Sequence, residues 1–332
     1  MSNAPIIEQL NIRQIERGQI SRFWLELTTS GLGNPLRVPL LVARGWEDGP
    51  VLGVTAVVHG NSLNGLPVVR QLFHHLDMDN LCGTVVGIPV MNMPGFLRQE
   101  RQFPDGVDLN QIMPGRQGGS MSEMYTFRLM DRIISTLDYL VDVQTADFGQ
   151  LNAFFVRADM TLMKQAIMAR LFSPDIILHD PGDEGTLRRA AMEIDIQAIT
   201  VVAGGPYRFQ QDFIFPTRNG LLNILVHLEM QDSKTDSSGD SPIECRNAYW
   251  LYTQQSGILE VYPDAGDEVK RGDKIGRLTN VFGDLIFEYS APESGIVLSK
   301  SVNPVSQAGG RILYLGIPKQ KNGKAGFTIS NI

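Results

Sequence analysis

Short runs of Val and Ile, each nearly continuous and several followed by a stretch with helical spacing, constrain this chain more than any other feature. Val51–Val58, Thr84–Val90, Tyr139–Val143, Asp175–Leu178 and Ala198–Val202 are such runs. A run that is apolar at almost every position suits a strand buried on both faces. Between them Leu66–Leu76, Met121–Leu137 and Asp159–Phe172 carry a helical period. In the second, Phe127, Met130, Ile134 and Leu137 recur at spacings of three and four and so share one face. Strands alternating with helices predict an α/β sandwich around a largely parallel sheet.

A last helix is expected over Leu221–Met230, running into Gln231–Pro242, where Asp, Ser, Thr and Gly leave almost no apolar residue. That composition reads as a loop or linker. Beyond it Trp250–Thr253, Gly257–Tyr262, Asp284–Tyr289 and Gly295–Leu298 group β-formers between Gly, Pro and Asp turns, which predicts a compact all-β module. The expected organisation is an α/β domain over 1–230, a linker or loop over 231–245, and a β-rich module over 246–332. A chain of 332 residues suits two units, because single cores rarely keep growing past about 250 to 300 residues.

Charge and leader segments narrow the partners. The formal charge of −7 argues against nucleic acid, whose binders present a basic face. No apolar run approaches the roughly 20 residues that cross a membrane. Met1–Gln9 has neither the basic n-region nor the apolar h-region of a signal peptide. A cytoplasmic protein with no membrane partner is expected. Cys82 and Cys245 stand far apart without a CxxC and read as plain structural thiols.

In open α/β sheets ligands bind beyond the carboxyl ends of the strands, and four motif fragments sit there. They are His59-Gly60-Asn61-Ser62-Leu63-Asn64-Gly65; Asn92-Met93-Pro94-Gly95 running on to Asp108-Leu109-Asn110-Gln111 and Pro114-Gly115; Asp142-Val143-Gln144; and Ile199 to Gly205. In that order and at these separations they resemble the succinylglutamate desuccinylase and aspartoacylase family, a branch of the zinc-carboxypeptidase fold, over Val38 to Leu228. The resemblance implies a zinc-carboxypeptidase-like α/β/α sandwich with a mixed, largely parallel sheet. It also implies a C-terminal all-β, barrel-like module that helps shape the entrance to the site.

The family places a His and a Glu of H-G-x-E and a second His of D-x-H on zinc, with a later Glu as general base. Such a set leaves a fourth position at which the metal lowers the pKa of a bound water towards about 7. An Asn-Arg pair in D-L-N-R, with an upstream Arg, grips the substrate carboxylate. Carried over position by position, the resemblance keeps His59 as the one retained ligand type. Ser62 and Gln144 occupy the other two ligand positions, and neither is a good zinc donor. Val202 stands at the general-base position and cannot transfer a proton, so no catalytic residue is assigned. Gln111 replaces the Arg of the substrate grip, while Asn110 and Arg101 remain.

Plainer readings stand beside these. A single imidazole at a strand end such as His59 is more often a hydrogen-bonded core residue than a ligand. His179 and Asp180 end another strand and would have to meet His59 to rebuild a metal or proton-transfer site. Arg101 with Asn110 either holds a carboxylate or braces the loop between them. Gly185-Thr186-Leu187-Arg188 suits a helix start better than a phosphate site. The tail from Gly257 to Lys300 is similar to biotinyl and lipoyl carrier domains, yet the turn Asn280–Asp284, where a carrier presents its Lys, contains none.

The leading expectation is a catalytically inactive or impaired homologue of N-acyl-amino-acid deacylases, kept as a binding or regulatory protein. Its expected partners are an active paralogue, a second copy of itself, or a small carboxylate ligand. No cofactor is expected to bind tightly; zinc would bind only if the family site were functional. The alternatives are a working amide or ester hydrolase with a rearranged metal site using His59, His179 and nearby acids, and a carboxylate sensor.

Overall fold

The computed structural model describes residues 4–232 and 241–319. A mixed sheet of fourteen of the described strands carries the fold. Its middle is parallel, in the order Cys82–Ile88, Glu47–Ala56, Tyr139–Gln144, Gln197–Val202. All five expected apolar runs are strands in this sheet, and side chains from both of its faces are buried. Above one face Val54, Val141, Val143 and Val201 pack with Leu72, Leu221, Ile224 and Leu225 from helices Gly65–His74 and Gln211–His227. Below the other, Val86, Leu140 and Ala198 pack with Tyr125 and Leu129 of helix Met121–Arg132 and Leu187 of helix Leu187–Met192. This is the expected α/β/α sandwich, and the hydrophobic effect on both faces holds it.

Two helices differ from the pattern reading. Met121–Arg132 starts on a capping box, with Ser120 accepting from the Glu123 N–H and Glu123 reaching back to the Ser120 N–H, but it stops five residues short of Leu137. Ile133, at φ −130°, breaks it, and Ile134–Thr136 tightens into a 3₁₀ turn. The last helix runs Gln211–His227, not Leu221–Met230. Pro216 lies inside it, where proline deprives the Asp212 carbonyl of a helical partner. Gly220 is required there, because a Cβ would lie 2.2 Å from the Phe172 ring. The expected helix Asp159–Phe172 is confined to Met163–Arg170.

An N-terminal hairpin that the apolar runs do not reveal, Gln19–Thr29 with Pro35–Arg44, pairs antiparallel and joins the sheet beside Cys82–Ile88. At the opposite side Phe155–Ala158 runs antiparallel to Gln197–Val202 and parallel to Ile176–His179. There the C-terminal segment enters: strand Ile243–Tyr252 pairs Ile243, Glu244 and Cys245 with Ile176, Ile177 and Leu178. Residues 243–245, expected as the end of a linker, are therefore sheet; 233–240 lie outside the described residues. The long sheet continues through Arg311–Pro318 and Gly295–Ser301. A four-stranded sheet of Leu285–Ser290, Lys274–Thr279, Gly257–Val261 and Val305–Ser306 completes the β-rich part. Ile275, Leu278, Val297 and Leu313 belong to the core cluster of this part.

Candidate functional site

Register brings the motif-bearing strand ends together. Thr55 pairs with Asp142, and Asp142 pairs with Thr200, so three strands end side by side. Immediately after the first, Val57 takes φ +56°, a left-handed conformation that β-branched residues rarely adopt and that marks functional turns. The turn is pinned by the N–H groups of Met91 and Asn92, which donate to the Ala56 and Val57 carbonyls at 2.9 Å each. Gly60 follows; a Cβ there would sit 2.1 Å from the Gly95 carbonyl carbon, so only glycine lets the two motif loops touch.

His59 is 3% exposed, and its Nε2 lies 2.9 Å from Asp108 Oδ1. Burial pushes its pKa down, against the pull of Asp108. The ring is therefore neutral near pH 7, with Nε2–H donating to the carboxylate. Nδ1 makes no hydrogen bond among the described residues. Asp108 Oδ1 also accepts from the Asn110 N–H at 2.9 Å, and Oδ2 accepts from Arg101 Nε at 3.1 Å and Nη2 at 2.9 Å. Burial alone would raise the Asp108 pKa, but the His59 hydrogen bond, the adjacent positive charge and the Asn110 N–H hold it well below the usual carboxylate range.

Asp142 accepts from Thr55 Oγ1 at 2.8 Å and from the Gln144 amide. Its burial raises its pKa above the ordinary value. Gln144 thus turns its N–H back onto its own strand. Ser62 Oγ is buried and has no hydrogen-bond partner, a state that typically costs about 1–3 kcal/mol.

Of these residues, His59, Gln144 and Arg101 line a cleft of about 190 Å³, together with Val202, Asp147 and Arg157 and with Trp250, Ser299, Arg311 and Tyr314 from the C-terminal strands. Arg101 bridges Asp108 and Asp147, and Arg311 reaches Asp147 Oδ2 at 3.1 Å. Arg311 also lies 4.7 Å over the Trp250 ring. The β-rich part therefore forms one wall of the cleft.

Other expected site residues go elsewhere. Asn110 Oδ1 accepts from the Leu187 N–H at 2.8 Å, while Gln111 is exposed; neither lines the cleft. Thr186 caps helix Leu187–Met192 through the Arg189 N–H, so that segment does start a helix. His179 Nδ1 accepts from the Met160 N–H at 3.1 Å. Asp180 is held between Arg157 Nε at 2.6 Å and Arg188 Nη2 at 2.9 Å. The structure does not bring His179 or Asp180 to His59. Asn280–Asp284 is a hairpin turn between Lys274–Thr279 and Leu285–Ser290, with no Lys at its tip.

Arg157, Asp147, Trp250, Ser299, Arg311 and Tyr314 were not singled out in the sequence. One signal existed: Arg157 is a charge between the buried Val156 and Ala158 of a short strand. Asp147 lies three residues past Gln144, beyond the end of the same strand; Trp250, Ser299, Arg311 and Tyr314 depend on how the C-terminal strands register with the main sheet, which composition does not encode.

Residues 48–228 match the sequence profile of the succinylglutamate desuccinylase/aspartoacylase catalytic domain. The chain belongs to this family. A relative is the N-alpha-acetyl-L-2,4-diaminobutyric acid deacetylase of Halomonas elongata, 25% identical over 277 residues, 79% of this chain and 80% of that protein. Family folds of known structure superpose closely. A product-bound ectoine utilization protein EutE (DoeB) from Ruegeria pomeroyi matches with a TM-score of 0.83 at 20% identity, over 91% of this chain and 96% of that one. A succinylglutamate desuccinylase from a Silicibacter species matches at 0.80 and 20% identity, over 92% and 98%. The likeness in fold thus extends past the catalytic domain into the β-rich part.

Proposed function

We propose that this desuccinylase/aspartoacylase homologue does not hydrolyse N-acyl amino acids, and serves as a binding or regulatory protein whose cleft receives a small carboxylate-bearing ligand. What carries the reading is the donor set at the family's metal positions. His59 offers one free nitrogen, Ser62 a buried neutral hydroxyl, and Gln144 an amide whose N–H is spent on Asp142. Zinc sites are built from imidazole, thiolate and carboxylate, and among the described residues no group of three His, Cys, Asp or Glu gathers as such a set. These residues do not fit zinc. Val202 at the base position supplies no proton acceptor, a loss typically worth about 10² to 10⁴ in rate.

Three guanidinium groups on the cleft wall, Arg101, Arg157 and Arg311, support the carboxylate side of the reading. A regulatory role would act through an active paralogue or through self-association. No described helix is long and apolar enough to cross a membrane. One finding favours a working amide hydrolase instead: the named deacetylase of Halomonas elongata covers most of the chain. The deciding experiment is elemental analysis of protein purified without a metal-affinity tag, together with hydrolysis assays on N-acetylaspartate and N-succinylglutamate. The expected outcome is far less than one zinc per chain and no turnover. Stoichiometric zinc with chelator-sensitive turnover would establish the hydrolase reading.

A further inference from the structure

Four side chains stand abreast across four strands at the cleft, three from the β-rich part and one, Gln150–Asn152, from the α/β part. Asn152 pairs with Ser299, Ser299 with Tyr314, and Tyr314 with Trp250. All four line the cleft. The indole and phenol rings stack at 5.0 Å, which gives one end of the row a rigid apolar wall. At the other end the polar groups lack partners: Ser299 is 2% exposed with its Oγ unbonded, and Asn152 Oδ1 is buried and unbonded. Two orphaned polar atoms side by side in one row are rare in a folded protein, because each forfeits hydrogen bonds it had in water.

Arg157 also lines the cleft. Its Nε donates to Asp180, and its two terminal amino groups make no hydrogen bond among the described residues. Asp180 already has a second cation in Arg188, so its charge does not neutralise both guanidinium groups. The other two cleft arginines are committed: Arg101 to Asp108 and Asp147, and Arg311 to Asp147 with its face on Trp250. Of the cleft's cations, Arg157 alone has both terminal nitrogens without a described partner.

We infer that Arg157, with Ser299 and Asn152, forms an oxoanion-binding subsite for the carboxylate or similar headgroup of the ligand. The inference rests on the binding reading above and moves the anion grip away from the D-L-N segment, whose Asn110 is spent on capping a helix. The guanidinium presents two N–H groups in a plane, the geometry that pairs with two oxygens of one headgroup. Ser299 Oγ–H donates to the same headgroup. Asn152 Oδ1 accepts from an N–H or O–H next to it on the ligand, as in an amino acid, an acylamino acid or a hydroxy acid. The Trp250–Tyr314 wall bounds the site on the side away from Ser299.

The test is isothermal titration of the full chain with acetate, succinate, N-acetylglutamate and methylphosphonate, in chloride-free buffer, with succinate dimethyl ester as the uncharged comparison. Arg157→Gln should weaken the best headgroup roughly tenfold or more, the loss of a hydrogen bond to a charged group. Ser299→Ala should weaken it less, and Arg189→Gln, which removes an exposed arginine paired with Glu193, should leave it unchanged. Thermal unfolding checks that Arg157→Gln is folded, as expected while Asp180 keeps Arg188. If that variant does not fold, Arg157→Lys and Ser299→Ala decide by the same criterion. Failure of every anion to bind folded protein in the millimolar range overturns the subsite, as does binding that Arg157 and Ser299 variants leave unaltered. Zinc content and turnover, measured separately, would overturn the binding reading while leaving an Arg157-dependent anion site standing.

Discussion

Asp108 holds more of the cleft together than any other side chain, so Asp108→Asn is the sharpest perturbation of it. The carboxylate accepts from His59, from Arg101 twice and from the Asn110 N–H. An amide keeps one oxygen and turns an NH₂ toward either an imidazole N–H or a guanidinium. Stranding one partner of a buried charge pair costs about 3–5 kcal/mol. Here Arg101 is 35% exposed and keeps Asp147, which argues for the lower end, about 3 kcal/mol. With roughly 2.1 cal/mol/K of unfolding entropy per residue, a chain of 332 residues has about 0.7 kcal/mol/K, so Tm should fall by about 4 °C.

The pH dependence follows from the same pair. The Asp108 carboxyl is depressed in the folded state. Its contribution is therefore fully present above the unfolded carboxylate pKa of about 3.9 and is lost as pH falls towards the folded value. Scanning calorimetry of both proteins should show a constant gap above about pH 5 that narrows below about pH 4. A gap smaller than about 1 °C at pH 7, or one that stays open in acid, would refute the claim that this carboxylate is a buried, ionised anchor.

Two further outcomes follow from named residues. Ser62→Glu with Gln144→His should create zinc affinity measurable by isothermal titration, because both positions keep the family's spacing relative to His59; a folded double variant that binds zinc no better than the parent means the pocket is remodelled. Burial pushes the Cys245 thiol up to about 12, so iodoacetamide on native protein should modify the partly exposed Cys82 and spare Cys245 until the chain is unfolded, as peptide mapping would show.

The parallel core was legible because burial on both faces writes itself as an uninterrupted apolar run, as in Ile199–Val202 and Val54–Val58. The first strand of the N-terminal hairpin was not, since Gln19–Thr29 mixes exposed Gln19 and Arg22 and half-buried Glu26 with buried Leu25 and Leu27 and so lacks such a run. The last helix begins ten residues earlier than its apolar stretch suggests and carries Pro216 and Gly220 within it, Gly220 leaving room for the Phe172 ring. In the site, His59, Gln144 and Val202 were found at one cleft because they follow strand ends. Arg311 and Ser299 were invisible because their place depends on Ile243–Cys245 hydrogen-bonding to Ile176–Leu178, a long-range pairing that no local pattern announces.

Several of the motif residues in this chain bind other parts of the protein. Gly60 permits the contact with Gly95, and Asn92 Oδ1 caps the Gly95 N–H at 2.9 Å. Asn64 ties the Ala203 carbonyl and Gln210 to the first motif loop, and Asp108 anchors His59, Arg101 and Asn110. Each makes bonds within the protein that position the loops around the cleft. The resemblance implies a partner outside the chain, zinc or substrate, at His59, Arg101 and Asn110 as well as at Ser62, Gln144 and Gln111, so internal bonds and ligand positions overlap in these motifs. The cleft's chemistry must be read from what faces it, and that is chiefly guanidinium groups and unpartnered hydrogen-bonding atoms.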